Sequence, residues 1–414
     1  MRGMDASVIN SESSMLQRSA REPLRIAIVS ETYPPEVNGV ALTLQRMLEG
    51  LRARRHVVQL VRLSQHADEA PQRARGFHEV LLRGVPIPCY SHLRMGLPCT
   101  RSLQRLWAMQ RPDVVHIATE GPLGWSALRA ARRLGVPVVS DFRTNFHAYS
   151  AHYGFGWLRR GIVGYLRGFH NRTLTTMVPT PALQRELAAQ GFDNLRVVAR
   201  GVDTAHLNPA KRDPALRRLW GAGDDTVVVL CVSRLAGEKN IALLWRAFEA
   251  IGRRGVDARL VLVGDGPQRA QLQALCQGAH FAGVRRGEDL AAHYASADLF
   301  VFPSLTETFG NVVPEAMASG LPVVAFDCAA AGQLIRHGDN GWLAAPREPV
   351  QFVDLAAHVA GDRAALQAMG RRARDTALAL DWQRVIDELE AVLRRAAAPG
   401  VAAQSPLLLR PSSA

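Results

Sequence analysis

From residue 25 to 199, and again from 227 to 344, short apolar runs alternate with stretches of helical periodicity. No other feature of the chain narrows its possible folds so far. The runs at 26–30, 57–62, 80–83, 114–118, 136–141, 175–179 and 195–199 are short and apolar, and segments 41–53, 122–134 and 181–190 between them read as helices. Apolar strands alternating with helices predict a parallel sheet covered on both faces. Segment 201–225 is polar, holds Pro209 and Pro214, and reads as a linker. The alternation then restarts, with strands expected at 227–233, 259–263, 299–303, 323–326 and 341–344 and helices at 241–252, 267–277, 290–296 and 310–319. The expected fold class is α/β: two Rossmann-like, doubly wound domains in tandem, with ligands where the carboxyl ends of both sheets face one cleft. The division expected is a disordered leader at 1–22, a first domain at 23–205, a second at 206–396 and a disordered tail at 397–414. The last helix is free to return to the first domain.

A chain of 414 residues is long enough for two such cores. No apolar run approaches the ~18 residues of a membrane-spanning helix. The first twenty residues include Asp5 and Glu12 and lack an apolar centre, so no secretory signal is expected. Cys89, Cys99, Cys231, Cys276 and Cys328 are scattered and odd in number, as reduced thiols of a cytoplasmic protein would be. Charge is uneven. Residues 1–205 carry 27 arginines and no lysine against 15 acidic residues, whereas 206–414 carry 23 basic and 22 acidic residues. An arginine-rich composition accounts for the missing lysines but not for the asymmetry, which predicts an anionic partner for the first half.

The chemistry concentrates in the second half. An apolar strand ending at Pro303 leads through a polar loop into a helix expected to open at Gly310, with Glu315 in its second turn. Strand, loop and helix N-terminus present free amides to an anion, here near Phe309, Gly310, Asn311 and Val312. Glu307 and Glu315 flank those amides and suit the hydroxyl groups of a phosphorylated ligand. The chain has only two lysines, Lys211 and Lys239. Lys239 falls in a strand-end loop with Arg234, and the pair suits a diphosphate; the plainer reading is a solvated charge pair with Glu238. Gly264, in Val263-Gly-Asp-Gly-Pro267, marks a tight strand-to-helix turn. In the first half, Asn38-Gly39 forms a corner after the first strand, either a plain turn or a close backbone approach to ligand. That turn lacks G-x-G-x-x-G, which argues against nicotinamide or flavin. His116 ends a strand, and His147 falls in a loop beside the expected cleft, although a lone histidine is more often structural.

Several of these motifs, in this order, resemble the retaining glycosyltransferases of family 4, with their GT-B fold. The run Glu307-Thr-Phe-Gly-Asn-Val-Val-Pro-Glu315 has that family's two glutamates separated by seven residues. Ser233-Arg234 with Glu238-Lys239-Asn240 matches its diphosphate clamp, and Pro34-Pro35 with Asn38-Gly39-Val40 matches its N-terminal glycine loop. Phe146-His147, followed by Tyr149 and Tyr153-Gly154, matches its histidine segment. The resemblance runs from about Arg25 to Ala396. It implies that Arg234 and Lys239 bind the diphosphate, that Glu315 holds the ribose, and that Glu307 with nearby amides orients the donor sugar. His147 would touch that sugar, and Gly39 would let the first domain approach the diphosphate. The run Thr119-Glu-Gly-Pro-Leu-Gly124 resembles members that transfer mannose, sulfoquinovose or a hexuronic acid to lipids. The implied donor is a nucleoside-diphosphate sugar, GDP-mannose before a UDP-sugar. The implied acceptor is a membrane lipid or glycolipid, with a soluble saccharide as the alternative.

No D-x-D motif closes a strand, and the cations already answer the phosphate charge, so metal-independent activity with no cofactor is expected. A glycoside hydrolase also uses two carboxylates but has no need of a lysine–arginine pair beside them. A phosphorylase would need a cofactor lysine, and a non-catalytic sugar-nucleotide-binding protein would share the fold. The basic half lacks the aromatic-interleaved pattern of nucleic-acid binding. Segment 157–172 places Leu158, Ile162, Tyr165, Leu166 and Phe169 on one helical stripe flanked by Arg159, Arg160, Arg167 and Arg172. Either it faces the core or it lies on an anionic membrane surface. With the basic first half, the membrane is the expectation, and the protein would be peripheral on the inner face of the cell membrane.

Overall fold

The computed structural model describes residues 22–36, 38–66, 68–87, 90–143 and 159–399. The first sheet is built from β1 (Arg25–Ser30), β2 (Val57–Leu63), β3 (Arg73–Ala74), β4 (Phe77–Leu82), β7 (Val114–Ile117), β8 (Val138–Asp141), β9 (Thr175–Val178) and β10 (Leu195–Val197). Their spatial order is β10-β9-β8-β7-β1-β2-β4-β3, parallel except for the short edge pair β3–β4. Between β4 and β7 a separate antiparallel hairpin is inserted, β5 (Gly84–Ile87) with β6 (Tyr90–Gly96). The second sheet has β11 (Val227–Val232), β12 (Ala258–Val263), β13 (His280–Gly283), β14 (Leu299–Phe302), β15 (Val323–Phe326) and β16 (Gly341–Ala344), all parallel in the order β13-β12-β11-β14-β15-β16. Two doubly wound sheets are what the alternation predicts. In each, a central strand is buried along nearly its whole length, as β1 and β11 are, because helices cover both faces.

Three features depart from the sequence reading. The segment 201–225 is no free linker. It folds into a 3₁₀ turn at Pro209–Lys211 and a helix at Pro214–Leu219, and Val202, Leu207 and Trp220 join the core of the second sheet. Its polar residues do structural tasks: Asn208 and Asp213 cap the two turns, and Arg217 donates to Asp298 Oδ2 at 2.8 Å and to the carbonyls of Ser296, Gly223 and Thr226. Composition alone reads such caps as loop. The hairpin and β13 were not anticipated; both are short and carry little apolar signal.

The third departure is the helix Arg159–His170. Leu166 and Phe169 are buried, and Ile162 and Val163 pack against a small cluster with Phe142, Val178, Leu183, Leu187 and Phe192. The apolar stripe therefore faces the core. Tyr165 stays exposed and donates to the Glu120 carbonyl at 2.7 Å; Leu158 lies outside the described residues. A stripe at helical spacing satisfies a core and a lipid interface equally well, and here the core takes it.

The last helix, Trp382–Ala397, packs on the first sheet's side of the molecule. Val385, Ile386, Leu389, Val392 and Leu393 share a core with Leu44, Met47, Leu48 and Leu51 of the helix Gly39–Ala53. A methyl group at Gly50 would come within 2.6 Å of Ile386, so the helices cross where one lacks a side chain. Among the described residues no helix is long and apolar enough to cross a membrane.

Candidate functional site

The site forms where loops leave the carboxyl ends of both sheets. After β11 the chain turns through Ser233 and Arg234 into a 3₁₀ turn at Gly237–Lys239, closed by Asn240 in the left-handed region at φ 53°. The turn after β12 braces it from behind. Gly264 adopts φ 132°, and a Cβ there would lie 1.9 Å from the Ser233 carbonyl oxygen; at Gly266 it would lie 2.3 Å from that of Leu235. Gly264 thus packs one loop on the other and fixes where Arg234 and Lys239 stand.

Lys239 Nζ is paired with Glu307 Oε1, and Ser304 Oγ donates to that same oxygen at 2.8 Å. Arg234 is paired with the buried carboxylate of Glu238. Both cations therefore already carry a counterion, and a diphosphate would enter by exchange. Gly310 sits at φ 88°, a conformation that only glycine adopts without strain. The helix begins two residues beyond it, at Val312–Ala318, with Glu315 in the first turn rather than the second. Phe309 buries its ring and accepts at its carbonyl from the Ala330 amide. The amides of Phe309, Gly310, Asn311 and Val312 donate to none of the described residues. Glu315 Oε2 accepts from the Tyr294 hydroxyl at 2.9 Å, and burial pushes its carboxyl up to about 7.

Across the cleft, Asn38 caps the helix Gly39–Ala53. Its Oδ1 accepts from the Ala41 amide at 2.8 Å, while Nδ2 donates to Thr32 Oγ1 at 2.7 Å. Its side chain is thus committed to shaping the loop. Asn311 Nδ2 reaches the Gly39 carbonyl at 3.4 Å and Thr43 Oγ1 at 3.3 Å, and a Cβ on Gly39 would sit 3.2 Å from that nitrogen. The two edges therefore meet at Gly39 and Asn311. Asn38, Gly39, Arg234, Lys239, Gly264, Glu307, Phe309, Gly310, Asn311, Val312 and Glu315 are all found on these facing loops or in the first turn of the helix that follows. His147, with Phe146, Tyr149 and Tyr153, lies outside the described residues.

Sequence reading passed over a buried charged cluster on the first sheet's edge. Asp141 ends β8, and its Oδ2 lies 2.6 Å from His116 Nε2 and accepts from Arg143 Nε at 3.0 Å. Burial works against this carboxylate, yet Arg143, His116 and Arg200 hold it well below the usual range. Arg143 Nη2 points at Met47 Sδ, 3.0 Å away, and its Nη1 has no partner. Nearby, Glu120 is buried with Oε1 unpaired, and burial pushes it up to about 8. The only available signal was a polar run, Ser140-Asp-Phe-Arg143, closing an otherwise apolar strand. Glu31 accepts from the Gly96 and Leu123 amides at 3.1 and 3.0 Å, seating the hairpin and the helix Pro122–Arg133 against β1.

Comparison with known proteins places these features. Residues 37–206 match the profile described as Glycosyltransferase Family 4, and residues 226–362 match that of Glycosyl transferases group 1. The chain is 37% identical over 374 residues to a GDP-mannose-dependent alpha-mannosyltransferase of Mycobacterium tuberculosis, covering 88% of this chain and 95% of that protein. It is 31% identical to the sulfoquinovosyl transferase SQD2 of Arabidopsis thaliana, over 88% of this chain and 72% of that one. An alpha-monoglucosyldiacylglycerol synthase of Streptococcus pneumoniae is 27% identical over 73% of this chain and 71% of its own length. Among solved structures, sucrose-phosphate synthase from Thermosynechococcus elongatus superposes with a TM-score of 0.78 at 18% identity, covering 90% of this chain and 98% of that one, and so shares the fold.

Proposed function

The chain belongs to glycosyltransferase family 4, and from that premise we propose that it moves a mannosyl unit from GDP-mannose to a membrane lipid or glycolipid. As a family member it is a retaining hexosyltransferase with the GT-B fold. One observation carries the assignment of roles: Arg234, Lys239, Glu307, Glu315 and four undonated amides converge on one edge, facing the Asn38-Gly39 corner. GDP-mannose is favoured because a relative that matches 88% of this chain is named for that donor. A lipid acceptor is supported by the relative named for diacylglycerol and by the basic first half. Val85 and Met95 of the hairpin and Leu97 just after it are also exposed, as on a lipid-facing edge.

Breaking the anomeric bond places positive charge on the sugar and negative charge on the departing phosphate. Lys239 and Arg234 exchange their carboxylate partners for the diphosphate, and the amides at 309–312 point at the same anion. Fixed charges and dipoles stabilise the separating charge without reorganising as it develops. Glu307, released from Lys239, is then free to accept hydroxyls of the donor sugar, while Glu315 accepts those of the ribose. The acceptor attacks on the face from which the diphosphate departs, and the departing oxygen takes its proton. His147 is assigned to the transferred sugar.

The test is release of nucleoside diphosphate from a panel of GDP- and UDP-sugars, with diacylglycerol and glycolipid acceptors in vesicles. The reading expects fastest release from GDP-mannose, dependent on the lipid. Release from no sugar nucleotide would overturn it, and lipid-independent transfer to a soluble saccharide would replace the acceptor. Activity is expected to survive a chelator; loss restored by magnesium or manganese would require a metal.

A further inference from the structure

We propose that Glu120, in the loop leaving the centre of the first sheet, binds a hydroxyl of the acceptor and so selects which acceptor oxygen attacks the donor sugar. This inference rests on the transferase reading and adds an acceptor-binding residue to it.

β7 lies between β8 and β1 in the first sheet, and the chain leaves its carboxyl end through Thr119, Glu120 and Gly121 into the helix Pro122–Arg133. That loop is tightly held. The Glu31 amide donates to Thr119 Oγ1 at 2.9 Å, and the Tyr165 hydroxyl donates to the Glu120 carbonyl at 2.7 Å. A Cβ on Gly121 would lie 1.9 Å from Glu31 Oε2, and one on Gly124 would lie 2.1 Å from the Thr119 carbonyl oxygen. Glu31, which seats the loop, opens the stretch that leads to the Asn38-Gly39 corner, where Asn38 donates to Thr32. On the other flank Asp141 ends β8. The backbone of Glu120 is therefore fixed at the middle of the first sheet's carboxyl edge.

The side chain is not matched in the same way. Glu120 is 3% exposed, and its Oε1 is buried without a partner among the described residues. Leaving such an oxygen unpaired is costly, and a ligand group that bonds to it removes the cost. Burial first, then the charges of Glu31 and Asp141, outweigh the bond from its own amide and raise the carboxyl to about 8. The other titratable groups around it are Tyr165, whose hydroxyl burial keeps protonated, and beyond Asp141 the residues His116, Arg143 and Arg200, which stabilise that carboxylate. A protonated carboxyl offers one donor and one acceptor, which is what a hydroxyl offers in return. An anion at this point would meet Glu31 and Asp141 on its two flanks, so the group received is uncharged. The proposed mechanism already gives the donor's hydroxyls to Glu307 and Glu315 on the opposite edge, which leaves the acceptor for Glu120. As the acceptor oxygen bonds to the anomeric carbon and the bond from that carbon to the phosphate oxygen breaks, the hydroxyl proton passes to the departing oxygen. Glu120 keeps its own proton throughout.

The experiment measures transfer in vesicles at a saturating concentration of the active sugar nucleotide, from about pH 6.5 to about pH 9.5, with diacylglycerol in one arm and hexosyl diacylglycerol in the other. The arm that collapses in Glu120→Ala shows whether the hydroxyl is that of glycerol or of a sugar; equal falls mean that the site takes either. The kcat/KM for that acceptor should fall about tenfold or more, with KM for the sugar nucleotide unchanged. Glu120→Gln, which keeps an uncharged donor and acceptor, should retain most of the transfer at neutral pH. In the wild type, kcat/KM for the acceptor should decline as pH rises through about 8, and the decline should be absent in Glu120→Gln. A purely structural role would not move that limb of the profile. The same alkaline decline in both proteins, no decline in the wild type, or a rise in KM for the sugar nucleotide in place of the acceptor overturns the assignment. If Glu120→Ala does not fold, the profiles of the wild type and Glu120→Gln still decide. Absence of nucleoside diphosphate release by the wild type from every sugar nucleotide would instead refute the transferase reading.

Discussion

The edges of the two sheets handle charge in opposite ways. On the second, Lys239 is matched by Glu307, Arg234 by Glu238, and Glu315 by the Tyr294 hydroxyl. On the first, one nitrogen of Arg143 and one oxygen of Glu120 are buried without partners. The second edge is complete in itself and, in the proposed mechanism, exchanges partners when the donor arrives. The same asymmetry runs through the whole chain, in which nearly all of the net positive charge falls within residues 1–205. In the proposed mechanism the donor is held by the second edge.

The largest expected effect tests the matched edge. Lys239→Ala removes a charge-assisted contact worth about 1.5–3 kcal/mol in a desolvated site, so turnover should fall about tenfold to a hundredfold. Thermal unfolding should change little, because Ser304 still donates to Glu307. Near-normal transfer would break the comparison, leaving the second edge with no active cation.

The next effect separates the two glutamates. Glu307→Gln should mainly lower kcat, by roughly tenfold, because its carboxylate faces the transferred sugar once Lys239 lets go. Glu315→Gln should mainly weaken nucleotide binding. Titration calorimetry beside initial rates tells them apart, and loss of affinity alone in both would remove Glu307 from the reacting centre.

A smaller effect follows from the carboxyl of Glu315, raised to about 7 by burial. Above that pH the group is ionised and accepts ribose hydroxyls; below it, protonation removes an acceptor. Affinity for GDP should therefore rise a few-fold between about pH 6 and pH 8. The rise should vanish in Glu315→Gln, and an identical pH profile in both proteins would assign it elsewhere. Smallest of all, Asn311→Ala removes two long hydrogen bonds across the cleft and should cost about 0.5–1 kcal/mol, read as a modest rise in KM. A loss as large as that for Lys239→Ala would mean that the edges are held together there.

The matched edge was legible because its residues lie in two short runs, 233–240 and 302–316, whose spacing survives in one dimension. Strand positions were legible for the same reason: buried parallel strands are continuous apolar runs. The unmatched edge was not legible, since Asp141, Arg143, Arg200 and His116 come from three separate elements and meet only after the sheet forms. Two misreadings share a cause. The polar caps of 201–225 look like linker, and the stripe of Arg159–His170 looks like a lipid face, because pattern gives polarity without naming the partner that answers it.

Amide hydrogen exchange of the full chain, with and without GDP, tests the division of labour most directly. The account predicts slowed exchange at 233–240 and 307–315, with the first sheet's edge at 141–143 and 198–203 unchanged by the nucleotide alone. Protection confined to 141–143 and 198–203, with the second edge unaltered, would contradict it.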